Sequence, residues 1–333
     1  MTRKIQMVFI ISTFIALLMG CGATGEANSS NSQENGNDLE AVEKNEEEYG
    51  VVEIENEDRT LVFTEVPQRA VTLNQHVTEV FLALGLEEYL VGTAYLDDEV
   101  LPEFKDTYEK IPVLSDQYPS QEVFLEEEPD FAYAGWTSAF NEDNIGTVEQ
   151  LEKFGVNAYL HESSSIIGPG IEDIYQDIRN ISEIFNVVER GEKLINEMKT
   201  ELVNIEETIP KDEETVRVFV FDSGDTAPFT SGQNFLNSII MMAGATNIFN
   251  DIDSNWGEVS WEEVVERDPE VIVIVDYGET TAEDKRKQLL NHPALTDVTA
   301  IKEEHFIIMP LSVAAEGVRV PSALDILVDG LYE

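Results

Sequence analysis

Apolar and polar positions along the chain change rhythm repeatedly, and each rhythm predicts an element. From Val51 to Arg69 the stretch VVEIENEDRTLVFTEVPQR alternates around a turn, which predicts a β-hairpin. Ala70 to Leu73 (AVTL) is a short buried-strand run. In the NQHVTEVFLALGL that follows, Val77, Val80, Phe81 and Leu84 recur at helical spacing until Gly85 stops the helix. LVGTAY predicts another strand, EVFLEEEPDFAYAGW a helix, a Pro-Asp turn and a strand ending at Trp136, and TVEQLEKFGVNAYLH a further helix and strand. Strands alternating with helices indicate an α/β fold with a parallel sheet.

From Gly170 to Ile209 no strand signal is present. IEDIYQDIRNISEIFN and VVERGEKLINEMKTELVNIEETIP both carry the helical period, and Pro210 ends the second. The alternation then resumes with VRVFVFD, NFLNSIIMMAGA, SWEEVVERDP, EVIVIVDYG, HFIIMP and a closing helix in PSALDILVDGLY. Two halves thus repeat one plan on either side of a long helix, with no solenoid period.

The start of the chain has another character. Arg3 and Lys4 precede IQMVFIISTFIALLMG, an apolar run too short and wrongly flanked for a stable membrane span, and Cys21 follows as the single cysteine of the chain. One cysteine excludes an internal disulfide and makes a thiolate metal site untenable. Leu18-Met19-Gly20-Cys21 resembles the lipobox of bacterial lipoproteins, in which cleavage precedes a cysteine that takes up lipid. An ordinary secretory signal with an incidental cysteine is the alternative. Buried acyl chains contribute about 0.8 kcal/mol per CH₂, so two or three hold a protein stably. Residues 22–50, rich in Gly, Ser, Asn and Glu, cannot bury enough apolar surface to order themselves and read as a linker.

Charge changes the picture of partners more than the picture of the fold. With 67 acidic against 20 basic residues and a net charge of −47, nucleic acid and anionic lipid are poor partners. Such a surface suits high salt or high pH outside the cell, where screening tolerates dense carboxylates.

Several stretches in order resemble the substrate-binding lipoproteins of ABC importers for ferric siderophores, cobalamin and related chelates. They are RAVTLNQHVTEVFLALGLEEYLVGTAY and VFLEEEPDFAYAG in the first half, and APFTSGQNFLNSIIMMAGATNIF, VSWEEVVERDPEVIVI and NHPALTDVTAIKEEHFIIMP in the second. The resemblance runs from about Arg69 to Tyr332. It implies two Rossmann-like lobes joined by a single long interdomain helix, Val187 to Thr208, with the ligand in the cleft between lobes and modest closure. The expected organisation is a lipoprotein signal peptide over 1–20, the lipidated cysteine and acidic linker over 21–50, an N-terminal lobe over 51–170, a helical segment over 171–209 and a C-terminal lobe over 210–333. The implied setting is the outer face of a cell membrane or the periplasmic side, anchored through Cys21, as a monomer working with a permease dimer and with no cofactor of its own.

In open α/β sheets ligands lie beyond the carboxyl ends of the strands. That rule selects Asn74, Gln75 and His76 after the first strand, Tyr95 and Asp97 after the second, and Trp136 after the third. In the second half it selects Asp222 and Ser223, then Asp276 and Tyr277. Amides and aromatics at these places suit a bulky, flat, partly polar ligand. Trp256 is a further cleft candidate, whereas Trp261 sits in a helical pattern that reads as packing. His76 is as well explained by packing at its helix start, and Arg319 either pairs with oxygens of a chelate or forms a salt bridge with a neighbouring acid. The resemblance alone marks Glu122 and Glu262, one per lobe, as carboxylates that dock on the permease.

Other classes are weaker. Ser223 and Ser231 lack a strand-turn-helix Gly-x-Ser-x-Gly setting, no His is placed as their base, and no phosphate loop or metalloprotease helix occurs, so the chain is not read as an enzyme. His161, His292 and His305 are scattered, against a binder of bare metal ions and against direct metal ligation. Among chelates the family ranks a ferric siderophore first, cobalamin second, and haem third with His76 or Tyr277 as axial ligand. The dearth of Lys and Arg argues against a strongly anionic chelate unless Arg319 carries its binding.

Overall fold

The alternating rhythms become two parallel sheets. A computed structural model of the protein describes residues 49–211 and 214–332. The signal region, Cys21 and nearly all of the linker lie outside the described residues. The predicted hairpin is β1 (Val52–Asn56) paired antiparallel with β2 (Arg59–Phe63). Next come β3 (Ala70–Leu73), β4 (Leu90–Ala94), β5 (Val113–Ser115), β6 (Phe131–Ala134) and β7 (Asn157–Leu160). They form one sheet in the order β5-β4-β3-β6-β7, every pair parallel. The chain runs outward on one side of β3 and then outward on the other, so the sheet has a switch point beside β3.

The second half builds β8 (Arg217–Phe221), β9 (Phe229–Ser231), β10 (Thr246–Asn247), β11 (Trp256–Glu258), β12 (Val271–Asp276) and β13 (Phe306–Pro310). A parallel sheet of order β10-β8-β12-β13 switches direction beside β8, and β9 and β11 form a separate antiparallel ribbon. Val271 to Val275 are buried on both faces, as expected of a parallel strand covered on each side.

Between the sheets lie helices Ile171–Ile184 and Val188–Glu206. The second has 19 residues and so is about 28 Å long. It ends four residues before Pro210, because Glu207 and Thr208 already belong to a turn. Ile195, Met198 and Leu202 form its buried stripe, while its other face is acidic and exposed. That stripe joins Phe81 and Tyr133 of the first lobe and Val220 and Val273 of the second in one apolar cluster. Wide separation of the lobes would expose this shared surface at roughly 25 cal/mol per Å². The described residues accordingly form a single compact unit rather than two. Among the described residues, no helix is long and apolar enough to cross a membrane.

Candidate functional site

The carboxyl ends of both sheets face a common cavity of about 360 Å³. β4 delivers Tyr95 and Asp97, β6 delivers Trp136, β8 delivers Asp222 and β12 delivers Tyr277, all of which line it together with Trp256 of the ribbon. Each was selected from the sequence, and the structure brings them together from both lobes. The aromatic rings are held in place by neighbours. Tyr95 meets Tyr118 edge-on at 4.6 Å, and Trp136 lies 5.1 Å from the His76 ring. Trp256 stacks on Phe229 at 6.0 Å with 13° between planes, an arrangement set by the β9–β11 pairing.

Asp222 is 6% exposed, and its Oδ2 accepts from the Tyr277 hydroxyl and from Ser223 Oγ, each at 2.8 Å. Burial, reinforced by the Asp222 charge, pushes the Tyr277 hydroxyl well above its ordinary range, so it stays a donor. Behind its ring, at 4.4 Å, the Lys285 ammonium donates to the Val275 carbonyl at 2.6 Å. Ser223 thus supports Asp222 and is not itself part of the lining.

The residues after β3 have a different place. Asn74, Gln75 and His76 are 0%, 1% and 2% exposed and do not line the cavity. Asn74 accepts from the Tyr118 hydroxyl at 2.9 Å. Gln75 donates to Glu79 and to the Glu99 carbonyl, and accepts from the Asp98 amide. His76 lies under Trp136, where burial and then the nearby His161 hold its pKa well below the usual value; it is neutral.

Arg319 is also spent within the protein. Its Nε and Nη2 donate to the two carboxylate oxygens of Glu79 at 2.7 and 2.6 Å, and Nη2 also donates to the Glu99 carbonyl at 2.7 Å. The salt-bridge reading of Arg319 therefore describes the structure, and the bridge is buried and joins the two lobes. Among the described residues, no guanidinium or ammonium lines the cavity.

Residues that the strand-end rule passed over complete the lining, among them Ser164 after β7, Asn234 and Asn255, and Glu316 on the segment after β13. Glu316 is 8% exposed and accepts from Ser164 Oγ at 3.2 Å, across the lobe boundary. Burial raises its pKa to about 7. The strand-end rule applied to HFIIMP points to Leu311, and helix Leu311–Ala314 separates that end from Glu316. Trp261 packs at 6% exposure against Phe221, as its helical pattern indicated.

Glu122 and Glu262 are exposed in the first turns of helices Gln121–Glu126 and Trp261–Arg267. Ser120 and Ser260 cap those helices, accepting from the amides of Val123 and Glu263. Neither glutamate has an ion-pair partner among the described residues. Cys21 lies outside the described residues.

A family described as "Periplasmic binding protein" matches residues 71–312. A periplasmic binding protein from Veillonella parvula superposes with a TM-score of 0.78 at 32% identity, covering 85% of this chain and 97% of that one. The ABC transporter substrate-binding lipoprotein YvrC of Bacillus subtilis is 25% identical over 271 residues, 80% of each chain. The vitamin B12-binding protein of Pectobacterium carotovorum is 29% identical over 211 residues, covering 63% of this chain and 71% of that protein.

Proposed function

This chain belongs to the periplasmic binding protein family, and on that premise we propose that it is the lipid-anchored receptor of an ABC importer whose cargo is a corrinoid of the vitamin B12 type. The coarser statement, a substrate-binding transport protein and not an enzyme, holds for the relatives across nearly the whole matched region. The choice of cargo rests on one observation: the cleft offers aromatic faces, amides and carboxylates, with no cationic side chain in its lining.

A ferric catecholate or the propionates of haem would bring anionic oxygens against Asp97 and Asp222, and like charges facing each other in a shielded cleft are strongly disfavoured. That moves a ferric siderophore of the catecholate kind below a corrinoid. Both haem-ligand candidates are engaged, His76 beneath Trp136 and Tyr277 donating to Asp222. A corrinoid carries a flat macrocycle rimmed with amides and no excess negative charge. Its ring would find Trp136 on one wall and Trp256 on the other, while Asn234 and Asn255 answer its amides. The vitamin B12-binding relatives support the same choice.

The remaining assignments complete the proposal. Cys21 carries the lipid and holds the receptor at the outer face of the membrane. Glu122 and Glu262, one per lobe, meet the permease, and their exposure and matching Ser caps support that role. The test is a tryptophan-fluorescence titration of the full chain carrying Cys21→Ser with cyanocobalamin, a neutral ferric trihydroxamate, a ferric catecholate and haem. Saturable quenching by cyanocobalamin is expected. Tight binding of only the catecholate or haem would overturn the reading.

A further inference from the structure

Three carboxylates line the cleft, and the protein satisfies two of them. Asp222 accepts from Tyr277 and Ser223, and Glu316 accepts from Ser164. Asp97 differs: its Oδ2 is shielded from solvent and has no hydrogen-bond partner among the described residues. A buried acceptor without a donor is costly to a folded protein, so such an atom points to a partner that arrives from outside.

Its location indicates the kind of partner. Asp97 lines both the main cavity and an adjoining pocket of about 300 Å³, whose walls include Asp98, Asp276 and Tyr277. Among the described residues, neither space is lined by Lys or Arg. Cations on neighbouring segments have partners of their own, Arg319 in Glu79, Lys285 in the Val275 carbonyl and Lys105 in Glu99. Aromatic faces next to Asp97 add to the attraction for positive charge, since Tyr95, Trp136 and Tyr277 share the cavity with it. The position is also firmly set. Tyr95, two residues earlier, holds a left-handed φ of 59°, its ring packed on Tyr118, and Gln75 accepts from the Asp98 amide just beyond. Burial and the neighbouring Asp98 raise the Asp97 pKa to about 6, the response of a carboxylate that lacks a counter-charge.

We propose that Asp97 is the charge-selecting residue of the cleft, pairing with a cationic group of the ligand at the neck between the two cavities. The group would be an ammonium or the positive centre of a chelate. The inference rests on the reading of this cleft as a chelate site and narrows that class to its positively charged members.

The test uses two pairs of chelates matched except for charge, titrated at pH 7 and low ionic strength into the full chain carrying Cys21→Ser. One pair is aquocobalamin, a cation, and neutral cyanocobalamin. The other is a ferric trihydroxamate with a free ammonium tail and the same compound with that amine acetylated. The cationic member is expected to bind about tenfold tighter than its neutral twin, with added salt eroding the difference. Asp97→Asn should bring the ratio to near one, with the loss falling on the cationic member. Asp116→Asn, at an exposed carboxylate that lines neither cavity, should preserve the ratio. Equal affinities within each pair, or a cation preference that survives Asp97→Asn, would overturn the role of Asp97. A cation preference in the hydroxamate pair with no corrinoid binding would overturn the corrinoid reading and uphold Asp97. Absence of binding by all four would overturn both.

Discussion

The two lobes present the ends of their central strands in opposite ways. After β8, Asp222 faces the ligand cavity with Tyr277 and Ser223 bonded to it. After β3, Asn74, Gln75 and His76 are covered, and the segment that covers them arrives from the other lobe: a side chain on Gly317 would run into His76, and Arg319 seats on Glu79. Both sheets obey the same topological rule, yet only one offers its switch point to the ligand. The other uses that point to hold the lobes together. A strand end with polar side chains is therefore a place where polar chemistry is possible, and the element crossing above it decides whether that chemistry serves ligand or scaffold.

The largest test of this contrast removes one half of the interlobe pair. Arg319→Met leaves the Glu79 carboxylate buried without a counter-charge, held only by the Gln75 amide and the Leu101 N–H, and should cost about 3–5 kcal/mol in urea unfolding. The double variant Glu79→Leu/Arg319→Met should recover most of that loss. If Arg319→Met instead weakened ligand binding with stability intact, the end of β3 would belong to the ligand after all.

A smaller effect is expected on the opposite side of the contrast. Trp256→Ala removes a ring that lines the cavity and should weaken cyanocobalamin by about 2 kcal/mol, roughly thirtyfold in Kd, with little change in melting temperature. His76→Phe should do the reverse, moving the melting temperature and leaving Kd within about twofold.

Glu316 sharpens the comparison through pH, because it touches both roles. Its carboxyl keeps a proton up to about 7 in the folded protein, against a reference value of 4.5. Between those values the folded state binds the extra proton. Its contribution to stability is therefore full below about pH 4.5 and is lost as pH rises through about 7. Unfolding free energy measured across this window should fall with pH, and Glu316→Gln should flatten that part of the slope. An unchanged slope would mean that Glu316 is ionised and satisfied throughout.

The smallest change to the isolated protein comes from the outer surface. Glu122→Ala with Glu262→Ala should alter stability by less than about 0.5 kcal/mol and leave Kd unchanged. Uptake by cells carrying the double variant should nevertheless collapse. Normal uptake would remove both glutamates from the docking role.

Legibility in the sequence follows the range of the forces involved. The hairpin, the buried strands and the long helix were readable from local periodicity, and helix Val188–Glu206 is one residue shorter at its start and two at its end than the expected Val187 to Thr208. Tyr95, Trp136, Asp222, Trp256 and Tyr277 were found because a strand and its following loop are adjacent in sequence. Glu316 was not legible in this way, because helix Leu311–Ala314 stands between it and the end of the preceding strand. The fate of Arg319 was open for a stronger reason: its partner lies 240 residues away, and periodicity carries no information at that distance.

The sequence by itself determined the alternation of strands and helices, the positions where polar side chains leave the sheets, and the excess of acid over base. These follow from side-chain periods and composition, which are local or additive. Only the tertiary structure decided that one switch point opens on the cleft while the other is sealed, that Arg319 is committed to Glu79, and that Asp97 keeps an unanswered oxygen. Those outcomes depend on which groups meet after the lobes dock, where burial sets the cost of every polar atom left without a partner.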